Sequence, residues 1–493
     1  MSGGVNDYEN VCLSGNIDKD ITLFKTIFSR DDVVRIREVR IAGVWRCCLI
    51  YIDGMVDSLQ QGETVIEALV KYALPENTAL NCDYISKNIL YANEISETDK
   101  LTDMLRAILC GDTVLIAQNN KSALTIDTKG WKTRGINEPD SERVLQGPRE
   151  GFEESAMSNL ALIRRKLLTP DLCIEMMRIG RRSDTPVFVC YLGSLADTAT
   201  VKELKHRLCK IDIDGILDSN YIAENIRDHR HSILKTTGAT EKPDIVAARL
   251  LEGRIALVVE GTPVVLTVPY LFSENFQSDE DYYVNFTLAS LSRMLRWLCF
   301  FIAVSVPGVF LALITHHFDL LPTNFVISVS RLRTGVPLNS TAECLALLGA
   351  FEILKESGLR MPQNLGHALS VVGGLVVGQA AVEAGIISAP MLIAVSLSAI
   401  SGLMVPRLSG AVIYLRLINV IACAALGIYG YLIVSTILVL YVFNLSSFGV
   451  DYTVSFSCPD SQHLKDIFIR TSWTKMLTRP VFNKNRIRKG DEQ

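Results

Sequence analysis

The chain has 493 residues, 49% of them hydrophobic, a formal net charge of -4 and a mean hydropathy of +0.26. The charge excludes a general nucleic-acid binder, and the hydropathy is too high for a typical wholly soluble protein. The 12 cysteines are scattered without a C-x-x-C, which excludes a disulfide scaffold or a paired-cysteine zinc site and points to free thiols in a reducing compartment.

The first residues, MSGGVNDYENVCLSGNIDKD, lack the basic start and apolar run of a signal peptide, so the N-terminal region is expected to stay in the cytoplasm. Residues 1–30 are polar and read as a poorly ordered N-terminus. From Val33 onward short β-rich runs alternate with amphipathic helical patterns, which indicates an α/β architecture. Two segments, 49–71 and 188–210, each read as apolar strand, Gly-containing turn, Asp and amphipathic helix. Tyr51 and Asp57 align with Tyr191 and Asp197 at an offset of 140. A second pair, 109–127 and 251–269, aligns Leu109, Gly111 and Leu115 with Leu251, Gly253 and Leu257 at an offset of 142. Both members read as helix end, Gly cap, strand, tight turn and strand, turning at Asn119–Asn120 and Gly261–Thr262. Two similar α/β subdomains follow, residues 31–145 and 146–290, and a cleft between such lobes is a usual place for a ligand.

The second subdomain opens with a linking helix. Gly147 and Pro148 break the chain, and the helix is expected from near Gly151, with Glu153 and Glu154 in its first turn and Arg164, Arg165 and Lys166 in its last. Arg149 and Glu150 at its entrance suit either an anion site or a structural ion pair.

Residues 282–296 carry aromatics and Arg and read as an interfacial approach to a membrane. The 19 residues from Trp297 to Thr315 are uncharged, enough for one span, with a kink expected at Pro307. Ser340 and Glu343 form a capping box for a helix that ends at Gly358 and Pro362 and carries Glu343, Glu352, Lys355 and Glu356, with Glu356 placed to pair with Arg360. That helix is too charged to face lipid; it lies at the interface or lines water within an assembly. Ser370, Gly374, Gly378 and Gly385 then form a small-residue stripe suited to close helix packing, and Glu383 is an ionisable residue near bilayer depth. Ala384–Val405 is uncharged and broken at Ser388–Ala389–Pro390. The 34 uncharged residues from Leu417 to Val450 would extend about 51 Å as one helix, so they are either strongly tilted or broken at Gly427–Ile–Tyr–Gly430. The membrane domain is expected over residues 291–450 with four to six spans, four being preferred. A tail over 451–493 carries Arg470, Lys475, Arg479, Lys484, Arg486, Arg488 and Lys489, and is expected to be cytoplasmic. The fold class expected is therefore an α/β soluble N-terminal region of two similar subdomains followed by an all-α polytopic membrane domain.

The segments QGPREGFEESAMSNLALIRRKL, ARLLEGRIALVVEGTP, SDEDYY and DIFIRTSWTKMLTRP, and above all the block from residue 333 to 391, resemble the A subunit of the GerA-type spore germination receptors. The likeness runs from about residue 30 to 480, and the first of its motifs is Gly147, Pro148, Arg149, Glu150, Gly151 and Phe152. The extreme N-terminus does not share it. The resemblance implies a multi-pass protein of the spore inner membrane, in contact with its lipid, with both termini cytoplasmic. It implies a homo-oligomer acting with a transporter-like B subunit and a lipoprotein C subunit. Small nutrients such as amino acids, sugars or nucleosides would be sensed, chiefly through the B subunit. Its A subunits would form a ligand-gated ion channel whose opening begins ion release and germination. A relative, the stage V sporulation AF protein, amplifies ion release downstream, and the motifs do not separate the two.

Within that reading Glu343, Glu352, Glu356 and Glu383 are the candidate pore residues, because a ring of carboxylates in an oligomer favours cations. A secondary transporter is a further alternative, since Pro307 and Pro390 would break helices, although no inverted repeat is visible. No enzyme is expected, and no cofactor or metal. His229–Arg230–His231 and His316–His317 show no metal-ligand spacing, and neither a G-x-S-x-G motif nor a P-loop occurs.

Overall fold

A computed structural model describes residues 4–9, 11–41, 43–73, 81–92, 94–130, 142, 146–360, 378–457, 466–476 and 478–479. Helix α1 (Ile17–Ile27) starts on Asn16, whose side chain accepts the Asp18 N–H, and it buries Ile17, Ile21 and Phe24. Those three recur at i, i+4 and i+7, one apolar stripe. The poorly ordered N-terminus expected through residue 30 is thus corrected over this helix, whose polar remainder is its solvent face.

The first lobe continues with β1 (Val34–Ile41), β2 (Trp45–Ile52), a helical stretch α2 over residues 58–71, α3 (Cys82–Asn88), β3 (Ile95–Thr98), α4 (Leu101–Leu109), β4 (Thr113–Ala117) and β5 (Ala123–Ile126). The second lobe repeats the order: α5 (Ala156–Lys166), β6 (Leu172–Ile179), β7 (Thr185–Leu192), α6 (Thr198–Cys209), α7 (Ser219–Ile226), β8 (Gly238–Thr240), α8 (Pro243–Leu251), β9 (Ile255–Val259) and β10 (Val265–Val268). Each lobe holds a five-stranded antiparallel sheet, ordered β1-β2-β4-β5-β3 in one and β6-β7-β9-β10-β8 in the other. The duplication read from the sequence is present strand for strand. Gly111 and Gly253 end α4 and α8 at φ +92° and +85°, a region glycine enters without a Cβ clash.

The side-chain alternation of the strands separates two faces. Cys48, Ile50 and Ile52 of β2 and Phe188, Cys190 and Leu192 of β7 enter one hydrophobic cluster, together with α1, α4, α5 and α8. Val187, Val189 and Tyr191 point the other way, into a second cluster with α6 and α7. The lobes therefore share a packed core, and the open cleft expected between them is filled. A cavity of about 240 Å³ lies beside Tyr8, Arg30, Asp31 and Asp171. The Arg164–Asp31 ion pair, both side chains under 4% exposed, also crosses between the lobes.

Helix α5 begins at Ala156 with Ser155 as its cap, accepting from the Ser158 N–H. The start expected near Gly151 is corrected: Glu153 and Glu154 precede the helix, because the Asn159 side chain binds the Glu153 backbone as a loop. Arg164, Arg165 and Lys166 do occupy its last turn.

The helical region holds α9 (Phe286–Thr315), α10 (Thr323–Arg333), α11 (Ser340–Arg360), α12 (Ala389–Leu403), α13 (Ser409–Leu426) and α14 (Ile428–Phe443). The approach expected over 282–296 is part of α9 from Phe286 onward, and α9 runs through Pro307 as one helix. Helix α9 and residues Pro406–Leu426 are long and apolar enough to cross a membrane, and α12 and α14 are shorter apolar helices. Of the two alternatives for residues 417–450, the structure takes the break, at Gly427 with φ +63°. The helix before it extends back through Arg416 to Ser409, beyond the uncharged stretch.

Contacts at the helix ends fix directions. Helix α9 leaves the soluble region and ends at His316–His317, beside Gly427. The turn between α12 and α13 carries Arg407, bonded to Glu142. After α14, a hairpin of β11 (Ser446–Ser447) and β12 (Val450–Asp451) docks on the second lobe: Ser446 donates to Asp228 at 2.9 Å and Ser447 to the Thr236 carbonyl at 2.7 Å. Helices α9 and α13 thus run away from the soluble region, and α12 and α14 run back to it.

Candidate functional site

Two sets of buried charges mark the helical region. The first lies where it meets the lobes. Residues 272–283 form two short turns that bring Glu274, Asp279 and Asp281 inward. Asp281 binds Arg293 at 3.1 Å and Arg296 at 2.5 Å, both on α9, and Arg293 also binds Asp466 at 2.7 Å. Arg407 lies 3.0 Å from Glu142 and 3.6 Å from Asp279, and it donates to the carbonyls of Glu274 and Gln277 at 3.2 Å. Lys242, fully buried, reaches Asp279 at 3.4 Å. Burial, with the Glu142 carboxylate nearby, pushes the Asp279 carboxyl up to about 6 despite Arg407 and Lys242. Arg254, buried beside Arg249, is pulled down to about 9. A cavity of about 390 Å³ adjoins these groups, lined by Asp244, Arg249, Tyr282, Tyr283, Arg407 and Trp473 among others.

The family motif of the linker abuts this junction. Gly147 adopts φ +123°, and a Cβ there would come within 2.6 Å of the Tyr283 ring. Phe152 is buried in the shared core, and its N–H donates to the Glu241 carbonyl at 2.8 Å. Glu150 pairs with Arg165 at 3.5 Å and Lys166 at 3.3 Å; of the two readings for this entrance, its carboxylate supports the structural ion pair, with partners at the end of α5. Pro148, exposed Arg149 and buried Gly151 complete the linker.

The second set is inside the helical bundle. Pro307 has no N–H, which leaves the carbonyl of Ala303 without its helical donor. Ser398 on α12 supplies one, its hydroxyl donating at 2.6 Å. Asn419 on α13 donates to the neighbouring Val304 carbonyl at 3.1 Å. Arg416, one turn earlier on α13, donates to Ser398 Oγ at 3.3 Å and to Glu352 Oε1 on α11 at 2.5 Å. One polar chain thus ties α11, α13, α12 and α9 where apolar packing would leave each group unsatisfied.

The four expected pore carboxylates have separate partners. Glu343 is fully buried and accepts from the Ser388 N–H at 2.6 Å and hydroxyl at 2.5 Å, serving the start of α12. The expected capping box is therefore corrected: Asn339 caps α11, accepting the Ala342 N–H at 2.7 Å. Glu352 binds Arg416. Glu356 pairs with Arg360 at 2.6 Å, as the spacing indicates, and Glu383 accepts from Gln379 at 2.8 Å, both on exposed surfaces. Of the small-residue stripe, Ser370 and Gly374 lie outside the described residues. A Cβ built on Gly378 would stand 3.7 Å from the Leu392 side chain on α12, so the glycine faces that helix without a close backbone approach. Gly385 sits at φ +67° with nothing of this chain within 4 Å of a Cβ built on it, and its N–H bonds to the Val382 carbonyl.

Arg416, Ser398, Arg407 and Asp279 escaped sequence reasoning. Arg416 immediately precedes the uncharged run from Leu417 and does not stand out there, although its spacing to Asn419 and Cys423 along α13 places all three on one face. Among the described residues no group of three or more His, Cys, Asp or Glu is arranged to hold a metal ion. The two sets are built of paired charges and hydrogen-bonded hydroxyls, an arrangement that holds helices in register and can present or withhold a carboxylate.

The sequence matches, over residues 22–482, the family described as Bacillus/Clostridium GerA spore germination protein. It is 38% identical to the spore germination protein KA of Bacillus subtilis (strain 168), over 98% of this chain and 90% of that one. It is 34% identical to the spore germination protein B1 of the same strain, over 96% and 97%. The crystal structure of the N-terminal domain of the A subunit of the Bacillus megaterium spore germinant receptor GerK3 is 32% identical, covers 53% of this chain and 97% of its own, and superposes with a TM-score of 0.42.

Proposed function

The chain belongs to the GerA family of spore germination proteins, the A-subunit family of spore germination receptors, and on that footing we propose that it is the A subunit of a nutrient germinant receptor and forms an oligomeric, ligand-gated ion channel. It sits in the spore inner membrane with both termini in the cytoplasm, next to a transporter-like B subunit that takes up the nutrient signal and a lipoprotein C subunit. The reading is carried by one observation: a charged pair, Arg416–Glu352, lies within a bundle of apolar helices whose first and last members meet the soluble region. Ionisable groups at such positions face a bundle interior or an aqueous path and are kept there at a cost in stability. The return of α14 to the second lobe supports an even number of crossings, with α9, α12, α13 and α14 as the four spans. The lobes supply a rigid platform, and Arg407 ties it to the α12–α13 turn.

The test is ion flux from liposomes holding the purified receptor complex. Nutrient-dependent flux that changes when Glu352→Gln, Glu383→Gln or Arg416→Gln is introduced at equal protein content supports an ion path through this subunit. Flux indifferent to all three would remove these groups from the path, and flux from the partner subunits alone would remove the subunit.

A further inference from the structure

The end of the bundle distal to the soluble region carries a feature that the channel reading does not use. Between Asp319 and Glu343 the only charged residues are Arg331 and Arg333. Over the same stretch Leu320, Phe325, Ile327 and Leu332 are exposed, as is Phe318 just before it. A short helix, α10, with a cationic end and bulky apolar side chains is suited to lying in a membrane interface. A cavity of about 460 Å³ opens between α10 and the end of α9, lined by Ile314, Leu321, Val326, Val329, Ser330 and Arg333 among others. Its wall is apolar at the α9 side and polar at Ser330 and Arg333. The Arg333 Nε is buried and has no hydrogen-bond partner among the described residues. The nearest carboxylate, Glu343, is engaged by Ser388 through Oε1, and its Oε2 stands 3.9 Å from Arg333 Nη2, an ion pair beyond hydrogen-bond length that leaves Nε open.

We propose that this cavity binds an anionic phospholipid of the leaflet distal to the lobes, with its phosphate at Arg333 and Ser330 and an acyl chain along Ile314, Leu321 and Val326. Charge complementarity selects the ligand: Arg333 is the charged residue among those lining the cavity, with Glu343 behind it, and a cationic lining beside an apolar wall fits an anionic amphiphile better than a zwitterionic one. The inference rests on the membrane reading above. A lipid held there would brace α10 against α9 and make the bundle sensitive to lipid composition.

The experiment uses the full-length protein, stripped of lipid in detergent and titrated by native mass spectrometry with phosphatidylglycerol, phosphatidylcholine or glycerol 1-phosphate. The expected result is phosphatidylglycerol binding about fivefold tighter than phosphatidylcholine, the increment of one arginine at an anionic lipid. Arg333→Gln should erase that preference. Val326→Trp, which fills the cavity and keeps both arginines, should weaken both lipids. Equal binding of the two lipids by the parent protein, or parent-like binding by both variants, would overturn the site. Displacement of phosphatidylglycerol by glycerol 1-phosphate at matched concentration would overturn the lipid in favour of a free phosphate. Alkaline extraction of membranes carrying the same proteins separates the two levels: protein that stays in the membrane yet binds lipid without preference refutes the site alone, whereas protein that is extracted refutes the membrane reading.

Discussion

Arg416 and Glu352 stand on different helices, α13 and α11, with the guanidinium Nη2 2.5 Å from the carboxylate Oε1. The arginine side chain is 4% exposed and the carboxylate 31%, so the pair is anchored at its basic end and reaches water at its acidic end. Removing one member of a buried pair strands the other, at roughly 3–5 kcal/mol, reduced here by the exposure of Glu352. Glu352→Ala should therefore lower the thermal unfolding temperature of the full chain in detergent, and Arg416→Met combined with it should recover most of the loss. A double variant as unstable as the sum of the two singles would show that no coupling exists.

Ser398 and Pro307 make a second pair of linked positions. Ser398→Ala removes the donor that serves the Ala303 carbonyl and should cost about 1–2 kcal/mol. In a Pro307→Ala background the helix supplies its own N–H to that carbonyl, so the same serine change should cost less than half as much. An equal cost in both backgrounds, measured by unfolding in the same detergent, would contradict the account.

At the junction, pH reports on Asp279. Its folded-state pKa, about 6, lies above the ordinary aspartate value, so the group's stabilising contribution is complete below about pH 4 and is lost as pH rises through about 6. A two-unit displacement corresponds to about 3 kcal/mol at most. Asp279→Asn, which resembles the protonated form, should be more stable than the parent at pH 7.5, and the gap should close as pH falls to about 4. A gap that stays constant over that range would show that Arg407 and Lys242 fully compensate the buried charge.

Gly147→Ala should destabilise the junction by about 1–3 kcal/mol, since φ +123° is strained for an L side chain and the new methyl meets Tyr283. Adding Tyr283→Ala should relieve the clash and leave the backbone strain, restoring only part of the loss. Full recovery in the double variant would mean that the conformation itself costs nothing.

The duplicated lobes were legible because their signals are local: a glycine that ends a helix, a tight turn, and alternating strands recur at offsets of 140 and 142, and Gly111 and Gly253 need the same backbone. Helix α1 was overlooked although Asn16 followed by Ile17, Ile21 and Phe24 marks it, because the surrounding residues are polar. The closed state of the lobe interface was not legible, since whether Phe188 and Cys48 face one core depends on how two sheets meet. The bundle network was hidden for a related reason. Ser398 is an ordinary serine until Pro307 on another helix leaves a carbonyl open, and Glu343 fits a cap at its own helix better by spacing than the distant Ser388 it serves.

The most direct measurement is ion release from spores lacking only this protein, followed against a panel of single nutrients. A germinant receptor A subunit predicts loss of release to one nutrient class with the others intact, restored by the parent gene. Release slowed to the same degree with every nutrient would contradict a dedicated receptor and indicate an amplifier acting downstream, and release unchanged with every nutrient would contradict both.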